Sequence, residues 1–139
     1  MIIDATDLLV GRMATQVAKK ALLGEKIDIV NADKAVISGT RVMILAKYKR
    51  RKDLGRNPYK GPFFPRAADK MLKRIIRGML PYKKARGLDA LNRIKCYIGV
   101  PVQFKNQKFE TIKESNVSRL ATTNYLTVGE ISRHLGAKI

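Results

Sequence analysis

The stretch VGRMATQVAKKALLGEKIDIVNADKAVISG, Val10 to Gly39, decides the fold. Its first half places Met13, Val17, Ala18, Ala21 and Leu22 at helical spacing and closes at Gly24, a residue type that ends helices because it takes the left-handed conformation without steric cost. Ile27 to Val30 then reads as a strand, and Val36 and Ile37 continue apolar. Working outward, Met1 to Asp4 is a short β-branched segment of the same kind. On the other side, Ser38, Gly39 and Thr40 open a second helical pattern through Val42, Ile44, Leu45 and Tyr48. Strands alternating with helices predict an α/β domain.

The pattern breaks at KYKRRKDLGRNPYKGPFFPR, Lys47 to Arg66, which carries eight basic residues against one acid, plus Gly55, Pro58, Gly61, Pro62 and Pro65. This composition predicts a loop or arm that orders on its partner. Beyond it, Met71, Leu72, Ile75, Ile76 and Met79 form an apolar stripe at helical spacing, with Lys70, Lys73, Arg74 and Arg77 on the other side. Gly78 and Pro81 stop that helix. Another basic loop runs through Lys83, Lys84 and Arg86, and Ile94 to Ile98 reads as a strand ending at Gly99 and Pro101. Little is legible after that until Thr127, which with Glu130 forms a capping-box pattern before Ile131 and Leu135, with Gly136 as terminator. No repeat, low-complexity tract or internal boundary divides the chain, so residues 1–139 are expected to form one domain.

Charge narrows the function. Met1 to Thr40 holds five basic and five acidic residues, Arg41 to Lys95 eighteen and three, and Cys96 to Ile139 six and three. Fifteen of the eighteen net positive charges therefore crowd into the middle 55 residues, where they repel one another unless a polyanion lies against them. Nucleic acid is the expected partner. Cys96 is the only cysteine, which excludes an intrachain disulfide and a Cys-rich zinc site and suits a reducing compartment. The longest uncharged run is ten residues, Leu120 to Gly129, about half of a membrane span. The N-terminus, with Asp4 and Asp7, lacks the basic start and long apolar run of a secretory signal, and a cytoplasmic location is expected.

Two basic elements carry the binding expectation. The arm mixes Lys47, Lys49, Arg50, Arg51, Lys52, Arg56, Lys60 and Arg66 with Tyr48, Tyr59, Phe63 and Phe64. Arginine offers bidentate phosphate contacts, lysine a mobile point charge, and aromatic rings a platform for unstacked bases, a mixture that fits RNA. Phe63 and Phe64 taken singly read as packing residues. The second element is RGMLPYKKARGLDALNR, where a helix end, a proline turn and a new helix start are expected to bring Arg77, Lys83, Lys84, Arg86 and Arg93 together as a rigid cationic corner. Lys70, Lys73 and Arg74 complete the candidate surface. A DNA-reading helix-turn-helix is the weaker reading, because Leu88, Ala90, Leu91 and Ile94 direct the second helix toward the core.

Helix starts at Val10 to Arg12 and Ser38 to Arg41 present free backbone N–H groups to phosphate, but neither matches GxxxxGK[ST] or GxGxxG; Ser38 reads as a plain N-cap, with Arg41 a surface cation. Catalysis has little to work with. His134 is the sole histidine and reads as a surface or half-buried residue, and Asp4, Asp7, Asp28 and Asp33 have simpler partners than magnesium in Lys26, Lys34 and the helix starts. No catalytic residue, cofactor or metal is expected. The rival classes are an RNA-modifying or nucleolytic enzyme, which needs a concave polar pocket, and a DNA-compacting protein.

Three segments make the sequence familiar: Val10 to Gly39 as quoted, GPFFPR at Gly61 to Arg66, and IIRGMLPYKKARGLDALNRIKCYIGVP at Ile75 to Pro101. Together they resemble the universal large-subunit ribosomal protein L-thirteen family, and YLTVGEISRHLGAK at Tyr125 to Lys138 resembles its archaeal and eukaryotic branch. The resemblance implies a three-layer α/β/α domain around a mainly parallel four-stranded sheet, with the basic arm and a short C-terminal helix. It also implies binding to folded large-subunit ribosomal RNA early in assembly, a place in the cytoplasmic ribosome beside other large-subunit proteins, no homo-oligomer, no membrane contact and no enzyme activity. Carried over by position, the RNA-contacting surface falls on Lys47 to Arg66 and Arg77 to Arg93.

Overall fold

Three short parallel strands organise the core of the computed structural model, which describes residues 1–54 and 59–138. They are β1 (Ile2–Asp4), β2 (Ile27–Val30) and, after one further strand and three helices whose ranges are given below, β4 (Ile94–Cys96), in the order β1-β2-β4. The register sets Ile3 beside Ile29 and Ile27 beside Ile94, so four isoleucines share one face, all fully buried. Helix α1 (Val10–Leu22) packs there through Met13, Ala14, Val17, Ala18 and Ala21. Its alanines let neighbouring helices approach closely, and Gly24 ends it at φ 105°. Helix α3 (Ala68–Gly78) adds Met71, Leu72 and Ile76, and α4 (Ala85–Asn92) adds Ala90. Each fully buried aliphatic side chain here is worth about 1.5–3 kcal/mol.

The domain is mixed α/β, but the expected four parallel strands are corrected to three among the described residues. The fourth place, beside β1, is held by one parallel bridge, Ile3 to Glu110, in which Asp4 N donates to Glu110 O at 3.1 Å and Glu110 N donates to Ile2 O at 2.8 Å. The surrounding KNQKFETIKE, Lys105 to Glu114, is too polar to extend the pairing. A second, antiparallel sheet joins β3 (Val36–Ser38) to β5 (Tyr125–Thr127).

That pairing moves the start of the second helix. Ser38 ends a strand rather than capping a helix; Gly39 follows at φ 132°, and α2 (Arg41–Asp53) begins after Thr40, whose side chain makes no capping bond. The inward residues are Ile44, Leu45 and Tyr48, whereas Val42 is 79% exposed. The arm is also corrected: its first seven residues continue α2, because Lys and Arg are good helix formers and the last-turn cations Arg50, Arg51 and Lys52 face the negative end of the helix dipole. Gly55, Arg56, Asn57 and Pro58 lie outside the described residues. The capping box of α5 (Val128–His134) is present in both directions, Glu130 N to Thr127 Oγ1 and Thr127 N to Glu130 Oε2, each 3.2 Å.

A polar knot ties the ends of β1 and β2. Asp4 Oδ1 accepts from Thr6 N (3.0 Å), Thr6 Oγ1 (2.7 Å) and Asn31 Nδ2 (2.9 Å), and Asn31 holds the left-handed backbone at φ 54°. Burial alone raises the Asp4 carboxyl, but the bonds from Asn31 and Thr6, helped by the charge of Lys34, hold it below its ordinary 3.8. A depressed folded value stabilises the fold above the unfolded value and loses that contribution as pH falls through the folded one. Urea unfolding compared at pH 7 and pH 3 should therefore show a smaller acid loss for Asp4→Asn than for the parent chain; equal losses would remove Asp4 from the account.

Ile76 is fully buried while Ile75 is half-buried at a groove. Ile76→Ala should cost about 2–5 kcal/mol in chemical denaturation, and Ile75→Ala clearly less. The reverse order would mean that the helix phase is wrong.

Candidate nucleic-acid interface

Helix α3 determines where the charge goes. Its apolar stripe is locked in the core, so the 3.6-residue period turns Lys70, Lys73, Arg74 and Arg77 outward together. With Arg66 they line a groove of about 570 Å³, which also takes in Phe63, Phe64 and Leu91. The rim is held from two sides: Ser132 Oγ on α5 donates to the Arg66 carbonyl, and the Phe64 ring packs on Tyr48 with centroids 5.8 Å apart. Among the described residues none of these five cations forms an ion pair; the pair that does form is Lys20 to Glu110 at 3.9 Å, elsewhere on the surface. The groove is a concave cationic wall without internal counter-ions.

The corner after α3 is built by backbone contacts. Tyr82 N donates to Leu80 O (2.8 Å), Lys84 N to Pro81 O (2.9 Å) and Gly87 N to Lys84 O (3.0 Å). The start of α4 lies so close to Pro81 that a Cβ on residue 87 would collide with the Pro81 carbonyl, so glycine is required there. The Arg77 guanidinium stacks over the Tyr82 ring at 4.7 Å, linking groove and corner. Lys83, Lys84 and Arg86 are exposed beside it. Arg93 is not brought into this group. It caps the far end of α4, about 10 Å along the axis from Arg86, and its Nη1 donates to Ala21 O at 3.4 Å, tethering the end of α1.

The arm divides into exposed and packed parts. Lys47, Lys49 and Arg50 are exposed on α2, Lys52 is half-buried, and Tyr59 and Lys60 are exposed after the break. Arg51 lies over Tyr48 (5.5 Å) and Phe64 (6.0 Å). Tyr48 is a core residue rather than a platform for bases; burial raises its phenol, opposed by Arg51. Phe63 departs from its expected packing role, at 68% exposure, whereas Phe64 keeps it. The placement of Arg56 lies outside the described residues. A second groove, about 350 Å³ between the start of α1, β3 and α2, adds Arg12 to Lys47 and Arg51. The sequence offers Arg12 only through the backbone of the Val10 to Arg12 helix start, not for its side chain, and does not point to Gly87. The signal for Gly87 was a glycine inside the otherwise helical KKARGLDAL, a mark of close backbone approach; Arg12 had none beyond its place at a helix start.

The remaining reactive groups are occupied or dispersed. Asp33 accepts from Gly99 N at 3.3 Å, burial and then the charge of Asp28 raise the Tyr97 phenol, and His134 is exposed on α5. Among the described residues no three His, Cys, Asp or Glu side chains cluster as metal ligands. Burial pushes the Cys96 thiol up to about 12, outweighing Lys73, so it is a poor nucleophile at neutral pH. Among the described residues no helix is long and apolar enough to cross a membrane.

Fold and surface together define an α/β protein built to hold a polyanion. Residues 1–103 match the family model described as Ribosomal protein L13. The chain is 45% identical over 137 residues to large ribosomal subunit protein uL13 of Methanococcoides burtonii, 47% over 138 to that of Methanosarcina barkeri, and 46% over 140 to that of Methanocaldococcus jannaschii. Each match covers 99% of this chain and 98% of the relative. The chain belongs to the ribosomal protein L13 family.

Gly87→Ala should destabilise the fold by about 1–3 kcal/mol through overpacking against Pro81, read as a lowered Tm. An unchanged Tm would show that the corner yields easily and is not rigid.

Proposed function

We propose that this protein is a structural, non-catalytic constituent of the large ribosomal subunit that binds folded ribosomal RNA during assembly, beside neighbouring subunit proteins. The observation that carries this reading is the groove wall of Arg66, Lys70, Lys73, Arg74 and Arg77, five cations that form no ion pair among the described residues. Family membership supplies the polyanion: the relatives are large-subunit ribosomal proteins. Lys83, Lys84 and Arg86 extend the surface around the corner, and Lys47, Lys49, Arg50, Lys52 and Lys60 extend it along the arm. Backbone phosphates bind these cations, and specificity comes from RNA shape, because an A-form helix hides its base edges in a deep narrow groove. The Ile3–Glu110 bridge supports reading the sheet as the four-stranded parallel kind of a three-layer domain, with its last strand reduced to one pair.

With six to ten phosphate contacts, affinity for structured ribosomal RNA should fall by about three to five decades between 50 and 200 mM salt. The combined change of Lys70, Lys73 and Arg74 to alanine should flatten the log–log salt slope by about two to three and leave the Tm nearly unchanged, since these side chains stand off the core. An unchanged slope would remove the groove from the interface. In a gently lysed native extract the protein should sediment with large subunits and resist a moderate salt wash; migration as a free monomer would overturn the ribosomal assignment.

A further inference from the structure

The α3 groove holds more than cations. Phe63, Phe64, Pro65, Ala67 and Leu91 share its lining with the five basic residues, so part of its surface is apolar. Phosphate has no use for that part: a phosphodiester offers charge and acceptor oxygens, which the guanidinium and ammonium groups already match. At about 570 Å³ the groove lies within the range of about 300–1,000 Å³ in which compact ligands are held by apolar walls and a few well-placed polar groups.

Two adjacent phenylalanines divide the apolar lining. Residues 62–66 form no helix, strand or turn. Pro62 and Pro65 fix their own φ, and Phe64, lying before a proline, is confined to extended backbone. Phe64 packs inward, its ring 5.8 Å from that of Tyr48 and 6.0 Å from the Arg51 guanidinium. Phe63 stands outward at 68% exposure, and among the described residues its ring meets no other ring and no cation. The segment is fastened just beyond, where the fully buried Ser132 donates its hydroxyl to the Arg66 carbonyl. A flat apolar face is thus held in place beside five cations that form no ion pair among the described residues. Holding it ready removes part of the ordering cost of binding.

We infer that the groove is a nucleotide site, in which Phe63 stacks on an unpaired base of the RNA while Arg66, Lys70, Lys73 and Arg74 hold the phosphates beside it. An apolar peptide would leave the cations unmatched. A continuous RNA helix would leave the ring unmatched, because its bases are stacked on one another. An unstacked nucleotide presents a π-face and phosphate charge together, which is the pairing of groups that this groove offers. Every base has such a face, so the site selects an unpaired position and not a base identity. The assignment rests on the RNA-binding function proposed above and narrows it: the partner is a helix interrupted by a bulge or internal loop.

The test uses the full-length protein and two blunt RNA duplexes that differ in a single bulged 2-aminopurine. The parent should bind the bulged duplex about ten- to a hundredfold more tightly, with a change in 2-aminopurine fluorescence. Phe63→Ala should equalise the two affinities and abolish the fluorescence change, whereas Phe63→Tyr, which keeps the ring, should retain both. The salt slope of Phe63→Ala should match that of the parent, since no phosphate contact is lost, and its Tm should be unchanged because the ring is exposed. Equal affinity of the parent for the two duplexes, with a steep salt slope, would overturn the base site and leave the RNA-binding function standing. Absence of salt-dependent binding to either duplex would instead overturn that function and the site with it. A preference that survives Phe63→Ala, joined to release of the variant from sedimenting large subunits, would assign the ring to a neighbouring subunit protein and overturn the inference.

Discussion

The burial of the α3 apolar stripe against the isoleucine face of the sheet is the interaction on which the rest of the molecule depends. Met71, Leu72 and Ile76 enter the same core as Ile3, Ile27, Ile29 and Ile94, and a helix so held has no rotational freedom. Lys70, Lys73, Arg74 and Arg77 are consequently delivered to one wall as a rigid set. The hydrophobic core thus does more than stabilise: it converts a run of cations into a surface with a shape. A ligand meeting that surface loses little to reordering of the protein backbone, which is the advantage of placing recognition groups on a packed helix rather than on a free loop.

The cost of this arrangement is electrostatic. Eighteen basic residues against three acids between Arg41 and Lys95 cannot be neutralised internally, and the described structure makes almost no attempt to do so. Arginines settle where they can: Arg51 over Tyr48 and Phe64, Arg77 over Tyr82, Arg93 on the carbonyl of Ala21. These contacts use the flat guanidinium to cover rings or cap carbonyls while leaving its charge uncancelled. Repulsion across such a surface is weakened by salt within a Debye length of about 8 Å, and more fully by a polyanion. The isolated protein is held together against its own field; the complex relieves it.

The C-terminal third contributes by returning to the N-terminus. Beyond β4 the chain passes Glu110 along the edge of β1, lays Ser115 and Asn116 beside Leu8 and Leu9, and adds β5 to β3 before ending in α5. From α5, Ser132 reaches Arg66 and so steadies the rim of the basic groove. Residues more than 60 positions apart therefore set each other's geometry, and Gly129 packs its backbone close to that of Asp33 in the same junction.

Local pattern alone established the parts whose stability is local. The periodicity of α1, the strand character of Ile27 to Val30, the glycine stop at Gly24 and the capping box of Thr127 and Glu130 follow from interactions within a few residues and stand in the structure; the α3 stripe stands at Met71, Leu72 and Ile76, while Ile75 is half-buried and Met79, past the helix end, is exposed. The asymmetry of charge, and with it the expectation of a polyanionic partner, is likewise a property of composition. What depended on distant partners was not legible. Ser38 looked like a cap until β5 claimed its backbone, Tyr48 and Phe63 differ in burial though both are aromatics in one basic run, and Arg93 sits among cations in sequence but serves Ala21 in space. Beside β1 the described residues form only the isolated bridge of Ile3 to Glu110, because the polar neighbours of Glu110 do not extend the pairing. Only the tertiary structure brought Ser115 and Arg119 to the start of α1, because contact across a hundred residues is decided by the packing of the whole chain and leaves no periodicity in the residues that make it.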